Sequence, residues 1–129
     1  MTLDDRLDEA LKLNRENLDD SIVEFIELHS LLSKSYLKIL REINEVEAQL
    51  EDRLIERYSY YKVDYDIQLS SQEVKLFVDN DTELSSLRKK LKDLKAVANF
   101  REKQIKNVEQ ARWDVKNLID YMKLKAGIL

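Results

Sequence analysis

The sequence predicts an all-α chain: a long antiparallel helical hairpin or bundle, with a short N-terminal helix and a short linking helix. Three observations carry this. The 129 residues include one glycine and no proline, so little interrupts helices and a many-stranded sheet is disfavoured. Two long stretches repeat apolar residues every seven positions. Apolar residues make up 43% and charged ones 37%, enough for a packed face beside a solvated one, which argues against wholesale disorder. A chain of this length reads as one domain. Its parts are a short helix within 1–20, a long helix over 21–62, a connection with a short helix over 63–81, and a long helix over 82–129.

Thr2 and Asp5 form a capping-box pair for the first helix, whose apolar face is Leu3, Leu7, Leu11 and Leu13. The polar run Asn14 to Asp20 breaks or bends it. Ser21 with Glu24 is a second capping box, placing the start of the next helix near Ser21. There Ile22, His29, Tyr36, Ile43 and Leu50 hold one heptad register, and Phe25, Leu32, Ile39 and Val46 the other. After Leu50 the stripe steps by four to Leu54, as in a stutter. A helix reaching Lys62 would be roughly 60 Å long and needs a partner helix to cover its stripe.

Val63, Tyr65, Ile67 and Leu69 alternate with Asp64, Asp66 and Gln68, the period of an extended link. Ser70 and Glu73 cap a short helix through about Val78, with Val74, Phe77 and Val78 inward. Asp79-Asn80-Asp81 is a turn, and Asp81 or Thr82 caps the last helix. In that helix Leu84, Leu91, Ala98, Ile105, Ile119 and Ala126 hold one register, interrupted by Arg112. Leu87, Leu94, Val108, Val115 and Met122 hold the other, interrupted by Arg101. Val97, Phe100, Trp113, Leu118 and Tyr121 widen the apolar surface towards that of a bundle or oligomer. Lys123 and Lys125 complement the helix dipole, and Gly127 ends the helix.

The net charge of −4 conceals an asymmetry. Residues 1–30 carry nine acids and three bases; residues 88–125 carry twelve bases and five acids. The two regions can attract each other, and the basic one can meet a polyanion; two ordinary solvated faces explain the pattern equally well. No cysteine, no apolar run of membrane length and an acidic N-terminus unlike a signal peptide together point to the cytoplasm.

Enzyme chemistry finds little support. One glycine cannot build a phosphate loop, and His29, the sole histidine, has no cysteine or second histidine for a metal site. It reads as a hydrogen-bonded seam residue. No catalytic residue, metal or cofactor is expected. The stretch with binding character is Glu47 to Lys62. Arg53, Arg57 and Tyr60 fall at helical spacings of four and three on one strip, while Leu50, Leu54, Tyr58 and Tyr61 form an apolar strip beside it. Guanidinium groups suit phosphate and an exposed ring suits an unstacked base. The same residues also fit a helix end whose tyrosines finish a core and whose arginines are solvated.

Glu47-Ala-Gln49, Arg57-x-x-Tyr60-Tyr61, the Asp79-x-Asp81 turn, Trp113-Asp-Val-Lys-Asn117 and the ending Lys125-Ala-Gly127 occur in an order and spacing that resemble the UvsY family of phage recombination mediator proteins. The resemblance implies a non-enzymatic protein that binds single-stranded DNA and helps a phage recombinase load onto DNA covered by single-strand-binding protein. It also implies a closed homo-oligomeric ring, of six or seven subunits, in the host cytoplasm. It points to Arg57 as a DNA contact and to Tyr60 and Tyr61 as the same motif. A basic residue that the family often has two places earlier is Ile55 here; Arg53, one turn before Arg57, can restore the charge, and Lys62 adds a cation. Lys62-Val63 stands where the family has a glycine, and Ala111-Arg112 precedes Trp113 in place of Arg-Gly. The competing class is a structural coiled-coil adaptor with no nucleic-acid partner.

Overall fold

The computed structural model describes residues 2–12 and 18–127. Among them the regular elements are helical and no strand occurs. Helix α1 spans Leu3–Ala10, α2 Leu18–Ser59, α3 Ser71–Asp79 and α4 Thr82–Lys125; a π-helical turn, Tyr60–Asp64, follows α2 directly. Two compact units gather the contacts, Met1–Leu37 with Asn99–Leu129 and Lys38–Ala98. The long helices α2 and α4 contribute a segment to each.

In the first unit, the expected capping box closes α1: Asp5 N donates to Thr2 Oγ1 at 3.1 Å and Thr2 N to Asp5 Oδ2 at 3.2 Å. Leu7 then packs into a core with Leu18, Phe25, Leu28 and Leu32 of α2 and Val108, Ala111 and Val115 of α4. The early part of α2 thus meets the late part of α4, an antiparallel pairing. Phe25 and Leu32 occupy heptad positions as expected. Leu28 lies outside both registers yet is fully buried, because α1 covers a second side of α2 and widens the face that must be apolar.

Polar groups also tie α1 down. Arg6 Nη2 lies 3.0 Å from Glu24 and 3.3 Å from Glu27 on α2. Gln104 Nε2 donates to Asp4 Oδ1 at 2.8 Å, and Arg101 Nη1 donates to Gln104 Oε1 at 2.7 Å and Asp4 Oδ1 at 3.2 Å. So Arg101, which breaks an apolar register, sits where an acid of the N-terminal region meets it, one contact of the kind that attraction between the acidic and basic regions would give. Two boundaries need correction. Ser21 and Glu24 do not begin α2, which is already helical at Leu18; Glu24 faces Arg6 instead. The polar break therefore does not extend to Asp20. Leu13 and Asn14 lie outside the described residues.

In the second unit, Ile39, Ile43 and Val46 of α2 and Leu84 and Ala98 of α4 are buried at expected heptad positions. Leu50 packs against the cluster of Tyr61, Val74, Val78 and Leu84. The apolar strip is only partly realised: Tyr61 turns inward, while Leu54 and Tyr58 stay exposed. Ser70 caps α3 as predicted, accepting from Glu73 N at 3.2 Å while Ser70 N donates to Glu73 Oε1 at 3.1 Å. Val74 and Val78 are buried, but Phe77 keeps an exposed edge. Ser70→Ala removes one half of this reciprocal cap and lowers stability by about 1 kcal/mol, measured by urea denaturation followed by circular dichroism.

One further expectation fails in this unit and another is met in part. Helix α2 does not reach Lys62 in α-geometry; it widens into the π turn after Ser59. The extended link expected from Val63 begins only after the π turn, where Tyr65 has extended backbone geometry. Val63 belongs to the π turn and Ile67 is exposed, and only Tyr65 and Leu69 pack on the core. A two-residue period buries a face only where a sheet or core runs alongside, and no strand is present here to supply one. At the far end Gly127 stops α4 with φ +75°, a backbone state that glycine adopts without steric cost.

Candidate nucleic-acid interface

The π turn fixes the candidate site. By adding a residue to the helical turn it brings Tyr60, Tyr61 and Tyr65 together with Phe77 of α3. Ring centroids are 5.2 Å apart for Tyr60–Tyr61, 5.5 Å for Tyr61–Tyr65 and 5.3 Å for Tyr65–Phe77, in edge-to-face or tilted arrangements. Such geometry lets the positive ring edge meet the negative face. Tyr65, read from sequence as linker, is thus part of the site's wall.

Asp81 is the anchor. It is 4% exposed. One carboxylate oxygen caps α4, accepting from Glu83 N at 3.0 Å and Leu84 N at 3.2 Å. The other accepts from Arg57 Nε at 2.8 Å and from the Tyr61 hydroxyl at 2.7 Å. Burial pushes the Asp81 pKa up, but the Tyr61 and Arg57 hydrogen bonds and the Leu84 N–H outweigh it and hold the value at about 2. The hydrogen bond to Asp81 in turn raises the Arg57 pKa further, and it raises that of Tyr61. Sequence reasoning placed Asp81 only as a cap, because an i+2 or i+3 backbone bond is visible locally whereas partners 20 and 24 residues away are not.

Arg57 lies with its guanidinium carbon 4.4 Å from the Tyr60 ring centroid and 5.2 Å from that of Tyr61. Its side chain is 26% exposed. The Nη1 group has no hydrogen-bond partner among the described residues, so one arm of the fork is left unengaged. Tyr60 is partly exposed beside it. Lys62 is exposed, with its Nζ 5.7 Å from the ring of Tyr58, an exposed aromatic that sequence reading assigned to the apolar strip. Arg57 over Tyr60 and Lys62 over Tyr58 are thus two cation–ring pairs near one helix end.

The other two predicted site residues behave differently. Tyr61 is buried, so it can position Arg57 but offers no face to a base; its expected place in a contact motif is corrected to that extent. Arg53 is exposed but lies 3.0 Å from Glu56 and 4.0 Å from Glu83, in a groove that also carries Asp52. Three carboxylates around one guanidinium make that groove net negative. On α4 in the same unit, Lys89, Lys90, Lys92 and Lys95 are exposed and have no carboxylate partner among the described residues.

His29 meets the expectation for a hydrogen-bonded seam residue, with Nε2 3.0 Å from Glu109 Oε1. Among the described residues no helix is long and apolar enough to cross a membrane.

Residues 6–128 match the family model described as "Recombination, repair and ssDNA binding protein UvsY". The chain belongs to the UvsY family. Its fold is similar to crystal structures of the bacteriophage T4 recombination mediator protein UvsY. In one lattice the TM-score is 0.81 at 19% identity, covering 97% of this chain and 99% of that one. In another it is 0.82 at 18% identity, covering 95% and 98%. At this identity the likeness shows the shared helical fold. No curated protein sequence matches this chain significantly. The family match also spans Arg57, Tyr60, Asp81 and Trp113, the positions that carry the sequence resemblance to UvsY proteins.

Proposed function

We propose that this UvsY-family chain is a recombination mediator. It binds single-stranded DNA and promotes loading of a phage recombinase onto strands covered by single-strand-binding protein. The observation that carries the DNA-binding part is the arginine stacked on the partly exposed Tyr60, with Nη1 unengaged and exposed Lys62 in the turn that follows. The unengaged Nη1 takes a phosphate and the exposed part of Tyr60 takes a base. Tyr61 and Asp81 hold the guanidinium in that pose. Arg53 contributes only to the extent that its neighbouring acids release it.

One such cluster binds weakly. A closed ring of six or seven copies would engage one strand at several clusters and raise the affinity through avidity. A strand bent over such a ring would loosen its hold on the covering protein and be presented to the recombinase in the cytoplasm of the host. No catalytic group or cofactor enters this mechanism; binding energy does the work.

The capture of Arg57 by Asp81, and of Arg53 by Glu56 and Glu83, favours a second reading, a structural adaptor with no nucleic-acid partner. Light scattering coupled to gel filtration, with and without an oligo-dT strand across a salt series, separates the two. A ring-sized oligomer that holds the strand at low salt and releases it at high salt supports mediation; an oligomer indifferent to the strand at every salt supports the adaptor. Lys62→Ala, away from the ion-pair network, should flatten the slope of log affinity against log salt by about 0.7 without changing oligomer size. An unchanged slope removes Lys62 from the interface.

A further inference from the structure

The tryptophan of this chain lies outside the interface above. Trp113 is 58% exposed on α4. It lines a groove with Glu109, Arg112 and Lys116 of the same helix and with Ile22 and His29 of α2. Positions 109, 112, 113 and 116 share one helix face, so the ring is flanked along α4 by a carboxylate and two cations. The Lys116 ammonium lies 4.9 Å from the ring centroid. The carboxylate, Glu109, is engaged by His29 at 3.0 Å. Nearby Asp114 accepts instead from Gln110, at 3.0 Å. Among the described residues neither Arg112 nor Lys116 has a carboxylate partner.

This inverts the situation at Arg53, where acids outnumber the cation. A large exposed aromatic with unpaired cations on the same face has two requirements of a single-strand site: a platform for one base and charge for the adjoining phosphates. It suits an apolar protein partner poorly, since interface cores are depleted of lysine and would strip water from both cations. We propose that the Trp113 groove is a second single-stranded nucleic-acid contact, in which a base stacks on Trp113 and Arg112 and Lys116 hold the flanking phosphates. With more than half its surface open, the ring admits a base beside the Lys116 ammonium. Glu109 lines the same groove, with one carboxylate oxygen engaged by His29 and two cations on the face against its single charge. The inference rests on the single-strand-binding reading above but concerns different residues.

The test uses the full chain, in which Trp113 is the sole tryptophan and hence the sole source of tryptophan emission. Unlabelled oligo-dT is titrated while emission is recorded; anisotropy of a dye-labelled strand reports binding in parallel. Emission should be quenched in step with binding and recover with salt. Arg112→Ala with Lys116→Ala should keep native helicity and flatten the salt slope by about 1.4. Trp113→Ala should weaken binding roughly tenfold. Binding by anisotropy with unaltered emission, or an unchanged salt slope in the double variant, overturns this site while leaving the mediator reading intact. An emission maximum that shifts with protein concentration in the absence of DNA also overturns it, assigning the ring to contacts between copies. No binding by anisotropy at any salt overturns the mediator reading and this inference together.

Discussion

Asp81→Ala lowers the unfolding free energy by about 3–4 kcal/mol, an expectation that adds three losses at one carboxylate. The cap of α4 is worth about 1 kcal/mol. The Tyr61 hydroxyl, buried, loses its acceptor, at about 1–3 kcal/mol. Arg57 loses its counter-charge, a loss moderated because its side chain is 26% exposed and reaches water. Urea denaturation measures the total, and hydrogen exchange should place the loosened amides within 50–84. Asp81→Asn keeps the cap and an acceptor, so it should fall between the variant and the native chain. The pH dependence has a defined sign. Folding depresses the Asp81 pKa from an ordinary 3.8 to about 2. Its contribution of about 2 kcal/mol is therefore present above pH 4 and is lost as pH falls through about 2. In Asp81→Asn the stability profile should flatten across that window. A native profile already flat there would show that the ion pair adds nothing to folding.

Phe25→Ala carries an equal or larger effect, about 3–5 kcal/mol. Phe25 is fully buried in the cluster that joins α1, α2 and α4. The cluster draws on three elements, so the hole left by truncation does not close by the shift of one helix. The urea midpoint should drop sharply and exchange should rise across 18–37 and 99–120. Ile26, the next residue, is 51% exposed, and Ile26→Ala should change stability by less than about 0.5 kcal/mol. Equal effects at the two positions would contradict the burial described here.

The functional consequence of the first prediction is direct. Arg57 is at once the strongest candidate contact and a partner in the ion pair that anchors α4. An Arg57→Ala variant mixes lost affinity with lost stability. Lys62, Arg112 and Lys116 are free of that network, and substitutions there read binding alone.

The sequence by itself determined the helical class, an antiparallel hairpin as the expected arrangement, the caps at Thr2 and Ser70, a cap for the last helix at Asp81 or Thr82, and the stop at Gly127. These rest on local rules: a seven-residue period, a side-chain oxygen three residues before an N–H, a glycine tolerant of positive φ. It also singled out Arg57 and Tyr60, through helical spacing and through the family resemblance. The tertiary structure decided what those residues touch. The burial of Leu28, the closure of Arg101 by Asp4, the π turn that gathers Tyr60, Tyr61 and Tyr65, and the capture of Arg57 by Asp81 each depend on groups brought together from different elements. Periodicity says which face of a helix is apolar. It does not say how many neighbours cover that face or which charge arrives opposite, and those two quantities separate an arginine that holds a fold from one that is open to phosphate.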